Sequence, residues 1–245
     1  MNWPRHSRIA LYGGTFDPVH DGHLAVAREL LKLFSLDEVL FIPAHVAPHK
    51  RNVPPVSPYH RYAMLALATQ DEPRFRISTV ELDEPRKPYT VETILRLRDM
   101  LGGQLVFVMG ADSWEEITTW REWERVLSLV ATVVVTRPGY ELRTDHVSDV
   151  VRERIVDLRN GVKEQDVRAA EMSGEPRIYF TDVVKMEIAS SDIRRVVRAA
   201  GAADENLVGS IQVPQPVAEY IKKYGLYREA HETERNEAGR ERAHD

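Results

Sequence analysis

The chain has 245 residues, 43% hydrophobic and 29% charged, the mix of a globular protein long enough to bury a sizeable core. Its net charge of -5 gives no hint of a nucleic-acid-binding surface or a polybasic membrane patch, and leaves room for a local basic pocket for phosphates. The absence of cysteine removes disulfides, thiolate nucleophiles and Cys-ligated zinc or iron–sulfur sites, and no run approaches the ~20 apolar residues of a membrane span.

Apolar β-type runs alternate with helical patterns. Ile9–Tyr12 reads as the first strand, and His20–Phe34 as a helix whose Leu24, Ala27, Leu31 and Phe34 share one face. Val39–Ile42 is the second strand, followed by a Pro-rich loop from Pro43 to Pro58. Ser57-Pro58 supplies an N-cap with proline at the first helical position, opening a helix to about Gln70. Phe75–Leu82 reads as a third strand, Thr90–Leu101 as a helix ended by Gly102-Gly103, and Leu105–Met109 as a fourth strand. Asp112-x-x-Glu115 and Thr119-x-x-Glu122 resemble capping boxes and predict two short helices. Thr132–Thr136 is a fifth strand and Ile178–Phe180 a sixth; Ser190–Ala200 and Pro216–Tyr224 are helices. The charged stretch 141–176 reads as an excursion on the sheet or an insertion. The expected fold is α/β, a Rossmann-like open, mostly parallel sheet with helices on both faces. It forms one domain over 1–227 with a C-terminal helical part, and 228–245 is a charged tail expected to be disordered. The N-terminal MNWPRHSR lacks the apolar stretch of a secretory signal, so a cytoplasmic protein is expected.

Chemistry concentrates in GGTFDPVHDGH, residues 13–23, between the first strand and the first helix. A glycine-rich turn admits a ligand close to the backbone, and the helix N-terminus aims N–H groups and partial positive charge at the same place. Gly13, Gly14, Thr15 and Phe16 therefore read as a phosphate cradle, although the pattern is neither G-x-G-x-x-G nor G-x-x-x-x-G-K-[ST]. His20 and His23 are three apart and share one face of the first helical turn, where imidazoles can donate to phosphate oxygens. Gly22 between them spares a side chain that would crowd a ligand. A zinc site is the rival use, but the H-E-x-x-H spacing is missing.

This stretch resembles the signature of the nucleotidylyltransferase superfamily, a GxFDPxHxGH-type run, and more narrowly that of the bacterial nicotinate-nucleotide adenylyltransferases. Further segments fit in order. Ile42–Lys50 is similar to the family's IP…PPHK loop, with Ala47 where the family has a first proline. Pro88–Thr93 resembles SYTVDT, and Gly110-Ala111-Asp112 the family's GAD. Thr119–Trp123 resembles TWxxW, and Ile188–Arg194 resembles ISSTxIR, with Ala189 in place of a serine. Val217–Tyr227 looks like the family's closing helix.

The resemblance implies transfer of AMP from ATP to nicotinate mononucleotide, with Mg2+ carried by ATP and no protein residue assigned to a metal. It puts His20, His23 and Arg194 in the catalytic role. Gly13, Gly14, Thr15, Phe16, Lys50, Gly110, Asp112, Ser190 and Ser191 would bind ATP. Asp17, Thr90, Trp120, Arg121 and Arg137 would bind the mononucleotide, with Trp120 stacked on the pyridine ring. The expected partners are these small molecules, with no nucleic acid and no membrane; a homo-oligomer stays open. The alternatives are an adenylyltransferase for nicotinamide mononucleotide or another phosphate acceptor such as phosphopantetheine, and a non-catalytic nucleotide-binding regulator.

Overall fold

The structure, a computed structural model, describes residues 7–45, 55–84, 86, 88–136, 139–159, 176–184, 188–200 and 207–228. Strand β1 (Arg8–Gly14) leads into helix α1 (Asp21–Leu33), then β2 (Glu38–Pro43), α2 (Pro58–Thr69), β3 (Phe75–Ile77), α3 (Thr90–Leu101) and β4 (Gln104–Gly110). There follow α4 (Ala111–Glu115), a 3-10 turn (Ile117–Thr119), α5 (Trp123–Leu129), β5 (Ala131–Val135), α6 (Asp149–Arg152), β6 (Ile155–Asp157) and β7 (Ile178–Thr181). Helices α7 (Ser190–Ala200), α8 (Leu207–Ser210) and α9 (Gln215–Lys223) complete the described chain.

The strands form one seven-stranded sheet in the order β3-β2-β1-β4-β5-β7-β6, and every pairing is parallel. Alternation along each strand divides the core into two layers. On β1, Ala10 and Tyr12 face a layer built from α1, α2, α7 and α9, whereas Ile9 and Leu11 face α3, α4 and α5. On β4, Val106 and Val108 join the first layer and Leu105, Phe107 and Met109 the second. Trp114, fully buried in the second layer, donates its indole N–H to the Arg143 carbonyl at 2.8 Å and so ties the segment after β5 to α4.

The chain order reverses between β1 and β4: β2 and β3 build outward on one side, and β4 onward build outward on the other. The helices that follow these two strands pack on opposite faces of the sheet, the arrangement in which open parallel sheets take ligands in a crevice at the carboxyl edge. Both Gly13-Gly14 and Gly110 end strands at this reversal.

Four local readings differ from the sequence expectation. Strand β3 stops at Ile77, because the Ser78 amide makes the last ladder bond, to the Phe41 carbonyl at 2.9 Å. The chain then turns on Thr79, whose hydroxyl donates to Asp83 at 2.7 Å. Gly110, not Asp112, precedes α4, so Asp112 sits inside its first turn. Thr119 ends the 3-10 turn, its hydroxyl donating back to the Glu116 carbonyl at 2.7 Å; α5 starts only at Trp123, after Glu122 takes a left-handed conformation at φ 51°. Within the charged excursion, Ile155–Asp157 pairs with β7 as the parallel edge strand.

Candidate active site

The turn between β1 and α1 is shaped by packing before any ligand enters. Phe16 adopts φ 49° and is 2% exposed, its ring folded back over Gly14; a Cβ there would lie 2.9 Å from the Phe16 Cζ, so only glycine fits. The Phe16 ring in turn meets Tyr12, Phe41 and His23 edge-on, with centroids 5.6, 5.6 and 5.0 Å apart. The cradle is thus floored by aromatic side chains, with glycine needed for the floor as much as for a ligand.

His20 is the N-cap of α1 and His23 lies in its first turn. Their rings stack, with centroids 3.7 Å apart and planes 28° from parallel. The His20 backbone N–H donates to His23 Nδ1 at 3.2 Å. With Nδ1 an acceptor, a neutral His23 ring carries its proton on Nε2, which makes that nitrogen the ring's donor. Gly22 serves the histidines directly: a Cβ there would fall 3.0 Å from His20 Nδ1 and 3.7 Å from the Ile188 Cβ. The crowding it avoids in the folded chain is that of the His20 ring, beside the ligand clearance expected from the sequence.

Helix α7 closes on this turn from the other end of the chain. The Ser190 hydroxyl donates to the Pro18 carbonyl at 3.0 Å, and Arg194 Nη1 donates to the Asp17 carbonyl at 2.6 Å while lying 3.6 Å from the Asp17 carboxylate. Arg194 keeps its remaining guanidinium donors, and Ser191 is exposed beside it. Ala189 precedes the helix; the amides of Asp192 and Ile193 bond its carbonyl at 3.0 and 3.2 Å, and it has no side-chain oxygen to cap the first turn.

Asp17, expected against the mononucleotide, is only 3% exposed and is an internal node. Its carboxylate accepts from the Tyr227 hydroxyl at 2.9 Å and from the Val56 amide at 3.4 Å. The closing segment of the chain is therefore fastened to the histidine turn. Burial, and then the neighbouring Asp17 carboxylate, push the Tyr227 hydroxyl well above the usual tyrosine range. Folding thus keeps this hydroxyl protonated where an unfolded tyrosine, near 10.0, ionises. The stability this contributes is present below about pH 10 and is lost as pH rises further, because only the unfolded chain releases the proton. Tyr227→Phe is expected to cost about 1–2 kcal/mol near neutrality by leaving Asp17 short of a donor. It should also flatten the alkaline loss of stability, which urea denaturation at a series of pH values up to about 11 will measure.

The second wall comes from α3, α4 and the segment before α5. Tyr89 is the N-cap of α3, its backbone N–H donating to Glu92 Oε2 at 3.0 Å, so Thr90 occupies the first helical position rather than the cap. Arg121 lies over the Tyr89 ring, with its guanidinium carbon 4.7 Å from the centroid. Trp120 is half-buried, edge-on to Phe107 with centroids 6.4 Å apart, and Trp123 packs against the same layer. Gly110 and Asp112 are exposed at the carboxyl end of β4. Lys50 and Arg137, expected on flanking loops, lie outside the described residues.

One polar residue of the site was missed in the sequence. Arg61 on α2 is fully buried and bonds backbone carbonyls of the surrounding turns. The signal was available: Arg61 falls in line with Met64 and Leu65 on the apolar face of its helix, where a charge needs partners.

A family model described as cytidylyltransferase-like matches residues 11–196. A probable nicotinate-nucleotide adenylyltransferase of Thermomicrobium roseum is 40% identical over 223 residues, 91% of this chain and 92% of its own. One from Symbiobacterium thermophilum is 37% identical over 90% of this chain and 95% of its own. A solved nicotinic acid mononucleotide adenylyltransferase of Plasmodium falciparum complexed with NaAD shares the fold. Its TM-score is 0.65 at 19% identity, over 91% of this chain and 98% of that one. Among the described residues no helix is long and apolar enough to cross a membrane. A match running from the first strand into α7, joined to close identity over nearly the whole length of these relatives, shows that the chain is a nucleotidyltransferase of the cytidylyltransferase-like family and belongs with its nicotinate-nucleotide adenylyltransferases.

Proposed function

We propose that the protein transfers the adenylyl group of ATP to nicotinate mononucleotide, giving deamido-NAD and pyrophosphate. The observation that carries this reading is the stacked His20–His23 pair at the N-terminus of α1, set at the strand-order reversal of a chain with these relatives. A 5′-phosphate oxygen of the mononucleotide forms a bond to the α-phosphorus of ATP as the bond from that phosphorus to the departing pyrophosphate oxygen breaks. The nucleophile is already an anion, so no base removes a proton and no covalent enzyme intermediate is required. The protein supplies alignment and neutralisation of charge.

In this proposal His20 and His23 donate to the α-phosphoryl oxygens, where charge builds up, and the Gly13–Phe16 turn fits around the triphosphate. Ser190, Ser191 and Arg194, with Lys50, hold the β- and γ-phosphates that leave together. Gly110 and Asp112 face the nucleoside. Trp120 stacks on the pyridine ring, and Thr90, Arg121 and Arg137 hold the rest of the mononucleotide. Asp17 acts by orienting Arg194 rather than by touching substrate. Magnesium enters with the substrate as MgATP. The cation would draw its oxygens largely from phosphate and water, as magnesium on a nucleotide does.

The test is a panel of acceptors. The full chain is incubated with ATP, Mg2+ and, in turn, nicotinate mononucleotide, nicotinamide mononucleotide and phosphopantetheine, and products are resolved by mass spectrometry. Deamido-NAD forming fastest supports the reading. A folded protein giving no product overturns it, and a faster reaction on the amide or on phosphopantetheine reassigns the acceptor.

A further inference from the structure

At the carboxyl end of β1, beside the strand-order reversal, the ladder to β2 ends with the Ala44 amide donating to the Gly14 carbonyl at 2.9 Å. Beyond that point the two chains diverge and their next carbonyls have no strand to pair with. The Arg61 guanidinium occupies the gap. Its Nη1 donates to the Thr15 carbonyl at 2.7 Å, and its Nη2 to the carbonyls of Ala44 at 2.6 Å and His45 at 3.2 Å. Its Nε donates to the Val56 carbonyl at 3.2 Å. One fully buried side chain thus joins the turn that carries the histidines, the root of the loop that bears Lys50, and the lead-in to α2.

We propose that Arg61 is a positioning residue: it fixes the separation of the Thr15 turn and the Ala44–His45 segment, and so sets how tightly the crevice grips the triphosphate. Only a planar fork with donors on three nitrogens reaches carbonyls on three segments at once; a lysine ammonium has the charge but not the span. The choice of a buried cation also fits the charge of its surroundings. Desolvation pulls the guanidinium down from its usual value, while Asp17, Tyr227 and Glu81 around it push back. A methionine of similar length would fill the space and take the donor away from four part-buried carbonyls.

The test compares wild type with Arg61→Lys and Arg61→Met as full-length protein. The Ala44 amide reports directly on whether the β1–β2 ladder end stays closed. Both variants are expected to exchange this amide at least ~10-fold faster, with the interior amides of β4 and β5 unchanged, and to bind ATP at least ~10-fold more weakly by calorimetry. In turnover assays the KM for ATP rises, whereas a loss of folded protein alone would lower kcat at constant KM. Uniform acceleration of exchange across the sheet, or an unchanged ATP affinity in a folded Arg61→Lys protein, overturns the proposal. Should the methionine variant fail to fold, the lysine variant decides the question alone. The turnover arm rests on the adenylyl-transfer reading. The exchange and ATP-binding arms do not, so a wild type inactive on every acceptor would sink that reading and leave Arg61 still tested.

Discussion

Replacing His23 with alanine should lower turnover by a factor on the order of 10² or more while leaving a folded protein. Two effects must be separated in that loss. His23 Nδ1 accepts the His20 backbone N–H, so the alanine variant also forfeits a helix-capping contact, costing about 1 kcal/mol. Glutamine at the same position of the first turn can make the capping contact with its side-chain oxygen but presents no imidazole N–H to the α-phosphoryl group. His23→Gln should therefore recover the thermal stability and not the rate. If glutamine restores both, or if alanine turns over like wild type, the proposed contact with the reacting phosphate is lost. The stacking of His20 on His23 at 3.7 Å means that His20→Ala also frees the His23 ring to reorient, so the double variant should be no slower than the worse single one.

Arg194→Ala is expected to reduce kcat/KM for ATP by a factor on the order of 10². The geometry makes lysine a poor replacement. Arg194 bonds the Asp17 carbonyl through Nη1, and in the proposed role its other nitrogens hold phosphate; an ammonium at the end of a flexible stem would serve one of these or the other. Arg194→Lys should recover roughly a tenth or less of the loss. Titration with pyrophosphate gives the independent reading: affinity for this leaving group should fall with the rate in both variants. Unchanged pyrophosphate binding would confine Arg194 to fastening α7 onto the Asp17-Pro18 turn, where only stability would suffer.

Most of the layered architecture was legible in the sequence because its signals are local. Apolar runs such as those in β1, β4 and β5, and a helical stripe such as Leu24, Ala27 and Leu31, are read from neighbours a few residues away. The Ser57-Pro58 start of α2 and the glycine stop after α3 appear where turn chemistry puts them. Boundaries set by competition were less legible. Tyr89 took the cap expected of Thr90 because Glu92 reaches back to its amide, and Thr119 bonded backward to Glu116 instead of opening a helix. The edge strand β6 was hidden because three residues, Ile155–Asp157, acquire strand character only from β7 beside them.

The sequence by itself determined the order of the first five strands and the helices between them, the glycine and histidine turn after the first strand, and the family to which the turn belongs. Only the tertiary structure decided what the polar residues of the site hold. Asp17 meets Tyr227 across 210 positions, Arg194 meets the Asp17 carbonyl across 177, and Arg61 meets Thr15 across 46. A buried donor or acceptor must find a partner, but that demand does not say which distant segment supplies it; the answer comes from the crossing of chains at the strand-order reversal.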